Sequence, residues 1–339
     1  MDMRTWHLTA TGLDHLQLVE RPNPEPGEHE IVVRVRAASI NYRDTMIAAS
    51  TFPPNRYPLV PLSDGAGDVV AVGRRVTTWR VGDRVTASFF ADWTDGAQTR
   101  TRAATALGGA IDGVLTEAIA LPAHGVIRTP AHLSDLEAAT LPCAGLTAWH
   151  ALFEGQDPVR PGHNVLLEGT GGVSVFGLQL AKLAGARAIV TSSSDAKLAR
   201  ARELGADVTI NYAQNPEWQD AVREATDGEG VDHVLEIGGK ETLGRALAAT
   251  RYGGQVHLIG GVSGFAAELP LGPMAASGAR VRRIYVGSVA MLQALARAVS
   301  VHRLRPVIDR TFGFAEAPAA IAAIKQGAHF GKLVIDFAR

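Results

Sequence analysis

The stretch Ser39-Ile40-Asn41-Tyr42-Arg43-Asp44 directly follows a β-branched run, IVVRVRAA (31–38), that reads as an early strand. A hydroxyl, an amide, a phenol, a guanidinium and a carboxylate therefore arrive together where ordinary turn residues would do. Asn41 and Asp44 are three apart, so one helical turn brings them to a common face. Two readings are open: the pair caps the next short helix, or the stretch is a catalytic corner. The stretch alone does not decide.

A second constellation, VLLEGTGGVSVFG (165–177), is more specific. A strand ends, Gly169-Thr170-Gly171-Gly172 makes a tight turn, and Val173 opens an amphipathic helix. Backbone N–H groups at a helix N-terminus can meet a pyrophosphate there, where the helix dipole favours negative charge. Gly169 permits the turn, while Gly171 and Gly172 allow close approach. The pattern departs from G-x-G-x-x-G, because Ser174 takes the last glycine position. Its strand-before, helix-after context makes it a dinucleotide site. The end of the next strand selects the dinucleotide. An NAD site wants a carboxylate there; this chain has Ser192, Ser193 and Ser194, followed by Lys197 and Arg200. Hydroxyls and cations suit a 2′-phosphate, so NADP is expected and NAD is the alternative. Asp195 counts against this unless, as N-cap of the following helix, it points away.

These residues need elements to hold them. Up to about residue 130, short Val-dense segments (EIVVRVRA, GDVVAVG, GDRVTASFF, LTEAIALP) are separated by Gly, Pro and Asp, the texture of an irregular β domain. From about 135, apolar runs alternate with helical patterns: VLLEG, FGLQLAKLAGA, RAIVT, KLARARELGA, DHVLEIGG, ETLGRALAATR, GGQVHLIGG and RVRRIYVGS. Such alternation predicts an α/β fold with a parallel, doubly wound sheet. The tail RPVIDRTFGF…HFGKLVIDFAR is β-like again and returns to the first domain. Expected boundaries are 1–134 with 304–339 for the β-rich domain and 135–303 for the doubly wound one. Residues 91–109 read as a long loop.

Composition excludes several classes. Lys plus Arg is 33 against 34 for Asp plus Glu, a formal charge of −1, which favours neither nucleic acid nor an anionic membrane. The single cysteine, Cys143, precludes an internal disulfide. No apolar stretch is long enough to span a bilayer, and MDMRTWHLTATG lacks the apolar run of a signal peptide, so a cytoplasmic protein is expected. His7, His15, His124, His132, His150 and His302 show no ligand spacing.

Taken in order, PEPGEHEIVVRVRAASINYRD, PLVPLSDGAGDVVAVG, AATLPCAGLTAWHAL, GTGGVS, GVDHVLEIGG and HFGKLVI resemble the medium-chain dehydrogenase/reductase superfamily over essentially the whole chain. The resemblance implies a GroES-like catalytic domain, split in sequence, with a Rossmann domain inserted. In zinc-dependent members a cysteine ligand lies three residues before the aspartate of the first motif; Asn41 stands there. Their Gly-His-Glu corresponds to Leu62-Ser63-Asp64, and only Cys143 matches a ligand. Catalytic zinc takes about three protein ligands, so no zinc is expected.

By the same resemblance, Asn41 and Asp44 lie beside the nicotinamide, with Ser63, Asp64 and Thr147 across the cleft. Met46 stands where several zinc-free relatives carry a tyrosine, leaving Tyr42 and Tyr57 as the nearest candidate proton donors; Tyr42 alternatively packs on the cofactor. Tyr212 is expected at the adenosine phosphate end and Gly238 and Gly239 along the ribose crevice. Ile259 and Gly260, with Val286, Gly287 and Ser288, would line the nicotinamide end, and Gly331 and Lys332 would close over the cofactor. Relatives pair Rossmann sheets at the position of 280–288, which implies a homodimer. The implied activity is zinc-independent, NADP(H)-dependent hydride transfer to a small-molecule conjugated carbonyl or quinone. A metal-free NAD(P)-dependent alcohol dehydrogenase and a non-catalytic NADPH-binding protein are the alternatives.

Overall fold

The structure, a computed structural model, describes residues 2–50, 56–264 and 271–339. Along the chain come strands β1 (Asp2–Leu8), β2 (Leu16–Pro22), β3 (Glu30–Ile40), β4 (Asp64–Val72), β5 (Arg84–Ala87), β6 (Ala118–Pro122) and β7 (Val126–Arg128). Strands β8 (Asn164–Glu168), β9 (Arg187–Ser192), β10 (Val208–Asn211), β11 (Val231–Glu236), β12 (Thr250–Leu258) and β13 (Arg280–Arg283) follow, each with a helix or turn before the next. The chain closes with β14 (Ile308–Gly313) and β15 (Lys332–Asp336). It divides into two compact units, Met1–Leu146 with Val286–Arg339, and Thr147–Tyr285.

In the first unit the main sheet runs β14-β15-β3-β4-β5-β7, with β6 also paired to β3. All its pairs are antiparallel except β14–β15. β3 is long because IVVRV buries its valines and leaves Arg34 and Arg36 exposed, the alternation of a half-buried strand. Its core unites Ile31, Val33, Ile40, Leu62, Val69 and Leu333. Residues 91–109 are not wholly loop. Thr99 caps a helical turn, Arg100–Ala103, whose residues carry no apolar period that would have announced it.

The second unit has one six-stranded sheet, order β10-β9-β8-β11-β12-β13, every pair parallel. Numbered within the sheet, this is 3-2-1-4-5-6, whose order reverses between β8 and β11; ligands of such sheets bind at the strand C-termini at that switch point. Leu166, Ile189, Val234 and Val256 are buried between helices, which explains the uninterrupted apolar runs. The helix expected through ETLGRALAATR ends at Ala249, because Thr250 and Arg251 are drawn into β12. No helix among the described residues is long and apolar enough to cross a membrane.

Candidate functional site

In the first unit three neighbouring strand ends converge. Ser39 pairs with Asp64 across β3–β4, and Ile40 pairs with Leu333 across β3–β15. Asn41, Ser63, Asp64 and Lys332 are thereby brought together from segments up to 291 residues apart.

Asn41 is the N-cap of the helix Tyr42–Ala48, and its backbone N–H donates to Asp44 Oδ2 at 2.7 Å. The capping reading thus holds for the backbone, and the Asn41 side chain goes elsewhere. Lys332 Nζ donates to Asn41 Oδ1 at 2.6 Å and to the Ile40 carbonyl at 2.7 Å. An ammonium can face only the oxygen of an amide, so Asn41 Nδ2 is turned toward Ser63 Oγ, a long contact at 3.5 Å. Ser63 donates to Asp64 Oδ1 at 2.6 Å, and the Cys143 backbone N–H donates to Asp64 Oδ2 at 3.0 Å. Lys332, Asn41, Ser63 and Asp64 form a directional chain from a buried cation to a buried anion.

Burial sets the electrostatics. Asp44, Asp64 and Lys332 expose 2%, 0% and 3% of their surface. Desolvation pushes the Asp44 carboxyl up to about 6, against the opposing pull of Arg43, the Asn41 N–H and Lys332. Asp64 is also raised by burial, with the Lys332 ammonium the foremost restraint. Arg43 lies 3.6 Å from Asp44, donates to the Leu107 carbonyl and sits over the Phe89 ring. Cys143 lies in a π-helical turn, Leu141–Gly145. Burial and the Asp64 carboxylate push its thiol upward, so the sulfur stays protonated.

The zinc positions of related enzymes do not fit a metal here. Asn41 Oδ1 already faces an ammonium and Ser63 is a hydroxyl, which leaves Cys143 as the one usual zinc ligand among the three positions. Among the described residues, no group of three or more His, Cys, Asp or Glu is placed to hold a metal ion.

The second unit carries the glycine turn. Gly169 has φ +73°, and a Cβ added at Gly169 or Gly171 would meet no protein atom within 4 Å. The turn therefore leaves open space in front of the helix Gly172–Leu183, for which Gly171 is the N-cap. That fits a dinucleotide pyrophosphate on the backbone N–H groups of Gly172 and Val173. Ser174 at the variant position is spent on the fold: its hydroxyl donates to the Glu168 carbonyl at 2.6 Å. The close helix–sheet contact falls at Gly177, where a Cβ would lie 2.7 Å from Leu167.

At the end of β9, Ser192 is buried and accepts from the Ser194 N–H. Ser193 is exposed. The expected cap is corrected here: Ser194, not Asp195, caps the helix Asp195–Glu203, since its Oγ accepts from the Lys197 N–H. Asp195 instead accepts from the side-chain amides of Asn211 and Gln214 at 2.8 and 3.0 Å. Tyr212 is exposed, with its N–H on the Ser192 carbonyl.

Gly238, Gly239 and Gly260 serve tight loop packing, since a Cβ at each would lie 2.3 Å from Thr242, 2.6 Å from Gly264 and 2.2 Å from Ile237 respectively. Ile259 N–H donates to the Glu236 carbonyl. Thr147, buried in the helix Leu146–Phe153, also belongs to this unit. Val286, Gly287 and Ser288 belong to the first unit; Val286 has φ 54° and Ser288 caps the helix Val289–Val301. Tyr42 is 38% exposed, and the Tyr57 hydroxyl is engaged by Ser50 and Thr11.

Comparison with known proteins matches this anatomy. The zinc-binding dehydrogenase model matches residues 172–300 and the alcohol dehydrogenase GroES-like domain model residues 27–131. A zinc-type alcohol dehydrogenase-like protein of Schizosaccharomyces pombe is 41% identical over 338 residues, covering 97% of each chain. The chain belongs to the medium-chain dehydrogenase/reductase superfamily. The solved structure of an NAD-dependent alcohol dehydrogenase, 33% identical, superposes with a TM-score of 0.90 over 98% of this chain and 99% of that one. A quinone oxidoreductase of Pseudomonas syringae pv. tomato, 27% identical, gives 0.85 over 99% and 100%. The protein is thus an oxidoreductase with a GroES-like unit and an NAD(P)-binding Rossmann unit, and among its described residues no cluster of metal ligands is formed.

Three features of this superfamily member escape sequence inspection. Lys332, expected to close over the cofactor, has its ammonium in the Asn41 cluster. Glu168 and Glu236 lie buried beside the glycine turn. His163, His233 and His257 form a row with N···N contacts of 3.3 and 3.2 Å, and burial lowers the central imidazole to about 4. Only the register of the strands brings these residues together.

Proposed function

We propose that the protein is a zinc-independent, NADP(H)-dependent reductase that passes hydride to the β-carbon of a conjugated carbonyl or to a quinone. The observation that carries this reading is the Lys332 ammonium fixed on Asn41, at the residue where zinc-dependent relatives place a ligand. Bound NADPH supplies the hydride. The protein's own contribution is position and hydrogen bonding. Asn41 Nδ2, oriented by Lys332, is a fixed donor for an oxygen that gains charge. Ser63 is not, because its hydrogen is committed to Asp64. A conjugated acceptor spreads the incoming charge onto its oxygen, where one or two donors, each worth about 3 kcal/mol, suffice. The final proton comes from solvent or from Tyr42, which is exposed enough to exchange with it. The NADP preference is supported by the exposed Ser193 at the ribose position and by Asp195, which is held away by Asn211 and Gln214.

A metal-free alcohol dehydrogenase using NAD(P) is the second reading; the names of two relatives favour its alcohol-dehydrogenase part, though one of them is called zinc-type. The metal question is decided by elemental analysis of purified protein. The account expects far less than one zinc per chain and full activity after chelation; stoichiometric zinc, lost together with activity, would refute it.

Assembly is proposed as a homodimer through β13, one of the two edges of the Rossmann sheet among the described strands. Light scattering at micromolar concentration should give twice the chain mass of 35.8 kDa. A single-chain mass would end that proposal.

A further inference from the structure

Parallel pairing of Leu235 with Leu167 sets Glu236 beside Glu168 at the C-terminal ends of β11 and β8, the two strands that flank the switch point. Glu236 and Glu168 are both buried, at 0% and 5% exposure, and each carboxyl lies within electrostatic reach of the other. Glu168 Oε2 accepts from the N–H groups of Ile237 and Gly238 at 3.2 and 3.3 Å. Glu236 Oε1 accepts from the Gly239 N–H at 2.7 Å and from the Thr242 hydroxyl. Glu168 Oε1 and Glu236 Oε2 have no donor of their own. Two carboxylates are acceptors only, so a bond between them requires a proton.

We propose that Glu168 and Glu236 share one proton and act as positioning residues, a clasp that holds the 237–239 loop against the strand leading into the glycine turn. Cofactor affinity then depends on that proton. The charge facing Glu168 is that of Glu236. Among the described residues, their strand neighbours and hydrogen-bond partners are uncharged: Thr191 beside Glu168 on β9, Leu258 beside Glu236 on β12, Ser174 from the helix, and Thr242 with the N–H groups of 237–239 from the loop. Burial and Glu236 hold the Glu168 carboxyl well above its usual range. Its contribution to stability is therefore complete in acid and is lost as pH rises through the folded-state value. Loss of the shared proton leaves two buried like charges and opens the clasp.

An amide can replace the protonated partner. Glu168→Gln would donate to Glu236 and still accept from Ile237 and Gly238, with no shared proton to lose as pH rises; Glu236→Gln does the same in the opposite sense. The test is to titrate the intact protein with NADPH and with NADH from pH 6 to 10, and to record Tm without cofactor over the same range. Wild type should lose affinity by about tenfold per pH unit above the pair's upper apparent pKa, and its Tm should fall with it. Glu168→Gln and Glu236→Gln should keep the neutral-pH affinity and show nearly flat Tm across that range, while Glu168→Ala should bind weakly at every pH. A Gln variant that follows the wild-type pH profile, or that binds as poorly as Ala at pH 7, would overturn the clasp. The inference rests on dinucleotide binding and not on the NADP preference. Preference for NADH would therefore refute that preference alone, whereas an unchanged Tm profile would refute the clasp alone.

Discussion

Lys332→Met should destabilise the protein by about 3–5 kcal/mol at pH 8 and by much less at pH 5. Lys332 acts electrostatically on two buried carboxylates and makes two short hydrogen bonds, so methionine keeps the volume and removes the only charge opposing Asp64 that ranks among its leading influences. The pH dependence follows from Asp44 and Asp64. A carboxyl raised to about 6 by burial contributes stability that is complete below its unfolded value and disappears as pH rises through 6. Without the ammonium both carboxyls rise further, so the penalty grows over the neutral range, where wild type still tolerates their ionisation. Urea unfolding at the two pH values measures the difference. An equal loss at both would show that Lys332 contributes packing and not charge. The same variant frees the Asn41 amide to rotate, so its turnover at pH 6 should fall by more than its stability explains.

Lys197→Ala should weaken NADPH by about ten- to a hundred-fold, the equivalent of roughly 1.5–3 kcal/mol for a charge-assisted bond to phosphate, and leave NADH nearly unchanged. Lys197 lies in the first turn of the helix that Ser194 caps, directly after the serines at the end of β9. Binding titrations with both cofactors separate the outcomes. Equal losses for NADPH and NADH would assign Lys197 a role away from the 2′-phosphate, and the NADP preference would lose its main support.

What the sequence announces and what it hides have physical causes. Strand–helix alternation over 165–283 and the glycine turn are local patterns, and both appear in the fold as one parallel sheet with an open turn at Gly169–Gly171. The three-residue spacing of Asn41 and Asp44 is local too, and it appears as a capped helix start. The Lys332–Asn41 bond joins residues 291 apart, and only the β15–β3 register creates it. Glu168 stands one residue before the glycine turn in plain sight, yet its partner is 68 residues on, at the next strand across the switch point. Asp195 looked like a cap because aspartate commonly is one; Ser194, one residue earlier, took the N–H and freed Asp195 for Asn211. Side-chain partners across strands are set by register, which periodicity does not encode.

The central claim is that the site around Asn41 reduces an activated double bond with hydrogen bonds alone. One carbon skeleton, presented as the enone and as the matching saturated ketone, tests it with chelator-treated protein and NADPH. The account predicts rapid NADPH oxidation with the enone, formation of the saturated ketone as product, and little or no reaction when that ketone is the substrate. Equal rates for the two, with the corresponding alcohol oxidised in reverse, would contradict it and make the protein a metal-free alcohol dehydrogenase.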